Sequence, residues 1–240
     1  FVKKNRPVMV RTDGTVDYEL NHENHALKLN GGASDITKTS YGGNAMSEIP
    51  LIWVKRWTQN NYHFVVFCEE QYDDTYKAYA HTDADGNVLP VTYFPMYEGS
   101  VVNSRMRSLS GLTPTASMTD EQETTAAKQN GDRWDKQSFS EINLMYEMCT
   151  MITCSTNSQG KFGNGNSQSD NFLQTGTLNG KGQFFGYTST TQAVKVFYCE
   201  NFFANYWKRL RGLLLINGVY HVKAVPPYNS TGAGYTNTGL

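Results

Sequence analysis

Hydrophobic positions cluster most densely between Val196 and Lys223, VFYCENFFANYWKRLRGLLLINGVYHVK, and this stretch carries the clearest hairpin signal of the chain. Two apolar runs, Gly212 to Ile216 and Val219 to Val222, flank Asn217-Gly218. An Asn-Gly pair supplies the two positive-φ residues of a type I′ turn, so an antiparallel hairpin is expected there. Upstream, Phe197, Tyr198, Phe202, Phe203, Tyr206 and Trp207 carry more ring surface than one short strand could shield, and a second layer should cover them. The expected cover is a helix over Phe139–Thr153. Ser138 and Glu141 make a capping box ahead of it, and Ile142, Met145, Tyr146, Cys149 and Ile152 recur at spacings of three and four to form one apolar stripe. An earlier helix is expected over Ser117–Asn130, with acidic residues in its first turn and Gly131 past its end.

The first third of the chain reads as strands. Val8 to Thr12 and Thr15 to Leu20 flank Asp13-Gly14 as a small hairpin, and Asn21 to Gly43 is polar and loop-like. A strongly apolar run, Ile49 to Trp57, is broken at Asn60-Asn61 and followed by Tyr62 to Cys68 as its expected partner, and Val91 to Met96 is a further strand. Between the helix pair and the C-terminal hairpin lies Ser155 to Gly182, rich in Gly, Asn, Ser and Gln and too long for a simple connection. The pattern as a whole is α+β.

Composition narrows the function classes. With 240 residues, 39% hydrophobic and 18% charged, the chain can bury one generous core or two modest ones. Lys+Arg 21 against Asp+Glu 22 leaves a formal charge of −1, which gives no field toward nucleic acid or anionic lipid. No apolar run reaches bilayer-spanning length, and FVKKNRPVMV lacks the apolar core of a secretory signal, so a soluble chain without membrane insertion is expected. Cys68, Cys149, Cys154 and Cys199 show no C-x-x-C or Cys/His zinc spacing and are expected as free, mostly buried thiols, with no metal and no cofactor.

Candidate chemistry is sparse. His22-Glu23-Asn24-His25 has its histidines three apart, not in the H-E-x-x-H pattern of a zinc helix, and reads as a solvated loop. Asp83, Asp85, Gly86 and Asn87 begin like a calcium loop, but Phe94 stands where the bidentate Glu is needed, which leaves a β-turn. Glu69, Glu70, Asp73 and Asp74 crowd into one turn and do not face each other from separate elements. Gly160 to Asn166, GKFGNGN, lacks the strand and helix of a dinucleotide fingerprint. Lys208, Arg209 and Arg211 among Phe203, Tyr206 and Trp207 read as a strand edge whose rings point inward and whose cations point outward.

Four blocks in order carry a family resemblance: GGNAMSEIPLIWVKR (Gly42 to Arg56), MYEGSVVNSRMRSLSG (Met96 to Gly111), AAKQNGDRW (Ala126 to Trp134), and ENFFANYWKRLRGLLLINGVYHV followed by PPYNSTGAGY. Together they resemble virion proteins of tailed bacteriophages of gut anaerobes, whose main domain has a C-type-lectin-like fold. Ala204 stands where that family usually has Gly, and Arg211 where an acidic residue is common. The cysteine site of formylglycine-generating enzymes, which share the fold, does not map onto this chain, and the calcium tripeptides of animal lectins are absent.

The resemblance implies a β-rich attachment region over 1–91 and a lectin-like domain over 92–240 in which two helices pack on a twisted antiparallel sheet. The family's last strands are expected to lie beyond Leu240. It implies a fibre or tail component, made in the host cytoplasm and housed in the virion, that binds a host-surface glycan or protein without catalysis. The alternatives are a structural adaptor binding only other virion proteins and, further behind, a surface-glycan-degrading enzyme. A homotrimer is expected. Glu200, Asn201, Trp207, Gly212, Asn217 and Gly218 are the expected structural core of the central motif, with Trp207 buried. Tyr228, Asn229 and Tyr235, together with the Ser155 to Gly182 segment, are the receptor-binding candidates, because Tyr offers a broad face with a hydroxyl and Asn, Ser and Gly adapt their hydrogen bonds.

Overall fold

The computed structural model describes residues 1–168, 171–186 and 188–240 and shows a mixed α+β fold made mainly of antiparallel strands. Strands β1 (Arg6–Arg11) and β2 (Val16–Glu19) form the first hairpin, with Gly14 at φ +87° and the Asp13 carboxylate accepting from the Thr15 amide at 2.9 Å. β3 (Gly43–Pro50) pairs with the other edge of β1. Close pairing fixes Gly43: a Cβ there would lie 2.3 Å from the Val10 carbonyl oxygen. The expected run from Ile49 to Trp57 divides, because Pro50 has no N–H to continue a ladder and the chain turns at Leu51-Ile52. β4 (Trp53–Gln59) and β5 (Tyr62–Cys68) then form a separate ribbon whose turn, Asn60-Asn61, takes φ 51° and 64°. β6 (Val91–Pro95) returns to β3, completing the order β2-β1-β3-β6.

A short hairpin, β7 (Ser100–Val102) with β8 (Arg105–Arg107), leads to the helices. Helix α1 (Asp120–Lys128) starts at a capping box of Thr119 and Gln122, and α2 (Phe139–Thr153) at one of Ser138 and Glu141. In the second box the Ser138 hydroxyl accepts from the Glu141 amide at 3.2 Å, while the Glu141 carboxylate accepts from the Ser138 amide at 2.7 Å. α2 ends at Cys154, which adopts the left-handed conformation and is exposed. A short helix, α3 (Ser158–Phe162), breaks the long connection, and β9 (Lys195–Val196) and β10 (Cys199–Glu200) pair across Phe197 and Tyr198 at positive φ. β11 (Leu213–Ile216) and β12 (Val219–Val222) turn at Asn217-Gly218 with φ 51° and 80°, and β13 (Thr236–Asn237) adds to β12.

The buried face of α2 sets Leu144, Met145, Met148 and Cys149 against Ile49, Ile52, Val54 and Phe94, with Val194, Val196, Phe197 and Phe202 closing the same cluster. Of the expected stripe Met145 and Cys149 are buried and Ile142 partly so, whereas Tyr146 and Ile152 are exposed because the core face is rotated toward Leu144 and Met148. A second cluster joins Met9, Leu20 and Ala45 to Met96, Tyr97, Leu109 and Tyr198. On the opposite face of the four-stranded sheet, Val8, Val10 and Met46 pack under Trp134. Residues on both sides of position 91, which itself begins β6, therefore share their cores. No described helix is long and apolar enough to cross a membrane.

Trp207 departs from the expectation of a buried motif ring on the sheet: its relative exposure is 103%, and the segment from Asn201 to Leu210 holds no strand. The reason lies in the backbone, where Asn201, Ala204 and Asn205 take φ 54°, 68° and 63° and break any alternation. Ala204 occupies a left-handed position, which explains why Gly would suit it.

Candidate functional site

The segment after β10 is shaped by buried carboxylates. Glu200 accepts from the amides of Gly176 (3.0 Å) and Thr177 (2.9 Å) and from the Thr177 hydroxyl (2.6 Å), so it ties the long connection to the core. Asn201 and Asn205 donate through Nδ2 to Glu98 at 3.0 and 2.5 Å, and burial raises the Glu98 carboxyl above its ordinary range despite the facing Lys208. Lys208 Nζ donates to the Asn201 carbonyl at 2.6 Å and lies 3.5 Å from Glu98. The segment is thus held by Glu200 and Asn201 through hydrogen bonds and not through Trp207.

Gly212 opens the hairpin at φ +76°, and a Cβ there would stand 2.5 Å from the Lys223 carbonyl oxygen and 2.8 Å from the Tyr228 ring. Beyond it a cleft of about 300 Å³ forms, lined by Leu213, Leu215, Tyr220, Arg209, Asn229 and Tyr235 among others. The Asn229 carboxamide is spent within its own loop, accepting from Thr231 and Ala233 and donating to the Ala233 carbonyl at 2.9 Å. Tyr235 donates its hydroxyl to the Asn229 carbonyl at 3.0 Å, leaving the ring as its free part. Tyr228 is an anchor behind the cleft: its half-buried ring lies 5.9 Å from the Arg211 guanidinium, and burial pushes its hydroxyl up to about 12. Two of the three candidate binding residues therefore line the cleft, and the third supports it.

Lys208 and Arg209 are exposed, Arg211 is largely covered, and all three are ion-paired. Arg209 pairs with Glu123 at 2.5 Å, Arg211 with Asp120 at 3.7 Å and Asp135 at 3.3 Å, and Lys136 with Asp120 and Glu123, while Lys208 faces Glu98. Four cations meet four carboxylates in these pairs, so no run of unpaired cations is presented to a phosphate backbone. The ring that should point inward points out. Beside Trp207 in the chain, Tyr206 stacks on Phe172 at 4.0 Å and 20°, and Phe172 is 53% exposed. Phe172 comes from the long connection, clipped there by the Leu173 amide, which donates to Asn205 Oδ1 at 2.9 Å. This exposed aromatic surface is the site that pattern reasoning missed. The available signal was Asn205, Lys208 and Arg209 around Trp207, which interrupt any buried face.

The Ser155 to Gly182 connection is less free than its composition implies. Thr175 and Leu178 are buried, Thr175 donates to the Leu109 carbonyl at 2.8 Å, and Asn179 Oδ1 accepts from the Tyr97 hydroxyl at 2.5 Å. Positions 169 and 170 of this candidate segment lie outside the described residues.

His25 also departs from the solvated-loop reading. Its ring is fully buried beside Lys195, whose Nζ lies 3.3 Å from His25 Nδ1 and donates to the Lys181 carbonyl at 3.1 Å. Burial, together with the Lys195 charge, drives the imidazole down to about 3, which holds it neutral. The acidic turn behaves as expected: Lys4 holds Glu69 at 2.6 Å and Thr75 holds Asp73, each keeping its carboxyl below the ordinary value, unlike a general acid. Asp83 accepts from the Asp85 and Asn87 amides as a local turn. Among the described residues no group of three His, Cys, Asp or Glu side chains is placed to hold a metal ion. In comparison with known proteins, the chain matches no family model, no curated protein and no solved structure.

Proposed function

We propose that this chain is a non-catalytic recognition component of a tailed-phage virion, with a C-type-lectin-like arrangement that presents the surface around Trp207 to a host-surface glycan or protein. The observation that carries the reading is the wholly exposed indole of Trp207 beside the stacked Phe172–Tyr206 pair. Water disfavours such a concentration of ring surface, and Trp and Tyr are the residues that dominate recognition energetics. The order of the four sequence blocks and the packing of a capped helix on antiparallel strands support the virion and lectin-like parts of the reading. The acidic turn is ion-paired and exposed, which disfavours glycan hydrolysis there.

Virions carrying Trp207→Ala are expected to lose host adsorption by at least about tenfold, since a hot-spot aromatic contributes about 2 kcal/mol or more. The melting curve should shift by no more than about 0.5 kcal/mol, because the ring has no packing to lose. Tyr235→Ala should weaken adsorption less, and Tyr228→Ala should act through stability. Normal adsorption by folded Trp207→Ala virions would reject this surface. A structural adaptor that binds only other virion proteins is the competing reading, and labelling on intact particles separates the two: a fibre tip fits recognition, and burial between capsomers or tail rings fits the adaptor.

A further inference from the structure

β5, YHFVVFC, contains no Lys, Arg, Asp, Glu, Gly or Pro. Its register with β4 runs without a bulge from Trp53↔Cys68 to Gln59↔Tyr62. The far edge of β4 is occupied where Val54 exchanges backbone hydrogen bonds with Lys77 at 2.9 and 3.0 Å. Among the described residues, β5 has no strand partner besides β4. Edge strands of soluble monomers are guarded by charge, proline, bulges or cover, and β5 has none of the first three.

Its side chains divide by face. Val65 and Phe67 pack inward on the main core, while Tyr62, Phe64 and Val66 lie on the opposite face, with Phe64 stacked on Trp57 at 4.9 Å and 9°. Tyr62 is 69% exposed. The N-terminus sits near the other end of the strand, where Phe1 packs on Phe67 and Lys4 pairs with Glu69, so the most open stretch is Tyr62 to Val66.

We propose that this edge is the seam of a two-fold homodimer, in which Tyr62 to Val66 pairs antiparallel with the same stretch of a second copy. Charge selects that direction. Glu69 and Glu70 follow β5 directly, so a parallel pairing would set the carboxylates of both copies side by side. The antiparallel pairing moves them to opposite ends, next to the amide-bearing Asn60-Asn61 turn of the other copy. A two-fold axis perpendicular to the ribbon keeps inward faces with inward faces and consumes both free edges, so assembly closes at two copies. The result is a four-stranded sheet, β4-β5-β5-β4. This inference is independent of the receptor reading.

Light scattering on the purified chain at tens of micromolar should give a mass twice the 27.0 kDa of one chain. Dilution should return the monomer, and hydrogen exchange at residues 62–66 should slow in the dimer. Phe64→Lys with Val66→Lys, both on the exposed face, places like charges across the seam and should raise the dissociation constant about tenfold or more with an unchanged circular dichroism spectrum. Should that pair unfold, Tyr62→Lys at the most exposed position of the strand is read in the same way. A monomer throughout this range, a three-copy species, or a dimer indifferent to these substitutions would overturn the proposal.

Discussion

Arg107→Ala is expected to destabilise the fold by about 3–5 kcal/mol, because it leaves several buried carbonyls without a charged donor at about 1–3 kcal/mol each. Arg107 is 3% exposed, and among the described residues no carboxylate pairs with it. Its charge is held by oxygen dipoles: Nε donates to Asn44 Oδ1 at 3.2 Å, Nη1 to the Thr39 carbonyl at 2.9 Å, and Nη2 to the carbonyls of Tyr41 and Gly43 at 2.7 and 2.6 Å. These acceptors belong to the end of the 21–43 loop and the start of β3, so one side chain on β8 fixes how the central strand is entered. Burial lowers the Arg107 pKa without discharging a guanidinium. Truncation would take this donor from the carbonyls of Thr39, Tyr41 and Gly43, while Asn44 Oδ1 keeps the Ser108 amide at 2.9 Å. Arg107→Lys should recover only part of the loss, because a point ammonium cannot span the fork. Urea unfolding measures both, and a loss under about 1 kcal/mol for Arg107→Ala would show that the loop finds other donors.

Local signals were legible wherever the information lies within a few residues. The capping box at Ser138 and Glu141 defines α2 with its expected limits, while the expected stripe is met at Met145 and Cys149 and missed at Tyr146 and Ile152, which face outward. Asn217-Gly218, Asn60-Asn61 and Asp13-Gly14 each close a hairpin at the expected place because positive φ is a property of the turn residues themselves. Pro50 shows the limit of reading an apolar run as one element: the composition continues through Ile52, but the missing N–H ends the ladder.

Long-range electrostatics were not legible, and they decide the site. Asn205 meets a carboxylate 107 positions away and Arg209 one 86 positions away. Those pairings hold the segment after β10 on a path that is not a strand and leave the Trp207 ring outside, opposite to what residue type alone implies. Thus Trp207, expected in the core, forms the most exposed surface of the site. The same distance problem hides His25 and Lys195, separated by 170 positions and buried together. Neither a loop of Asn and His nor a lysine in a short strand announces burial. The buried polar groups do the positioning that a sequence pattern attributes to rings.

Those buried groups give the stability an alkaline pH dependence whose sign can be worked out. Burial pushes the thiols of Cys149 and Cys199 up to about 12 and the Lys195 ammonium down to about 8. In the unfolded chain a thiol ionises near about 8.5 and a lysine near about 10.4. Between pH 9 and 10, then, the unfolded state has released two thiol protons that the folded state retains, and holds one lysine proton that the folded state has released. Each imbalance is worth about 1.4 kcal/mol per pH unit, the thiols lowering stability as pH rises and the lysine raising it. These three groups together give a fall of about 1.4 kcal/mol per unit over that window. Buried tyrosines such as Tyr93, Tyr198 and Tyr228, raised to about 12 against an unfolded value near about 10, steepen the fall from about pH 9 upward, while Lys208, whose ammonium burial also lowers, opposes it as Lys195 does. Cys149→Ala with Cys199→Ala, measured by urea unfolding under reducing conditions, should lessen the fall by up to about 2.7 kcal/mol per pH unit, because both thiol imbalances are gone. Adding Lys195→Met should steepen it again by about 1.4 kcal/mol per unit, because a group that opposes the fall is removed. A slope unchanged when both thiols are gone would mean that other groups govern the alkaline limit.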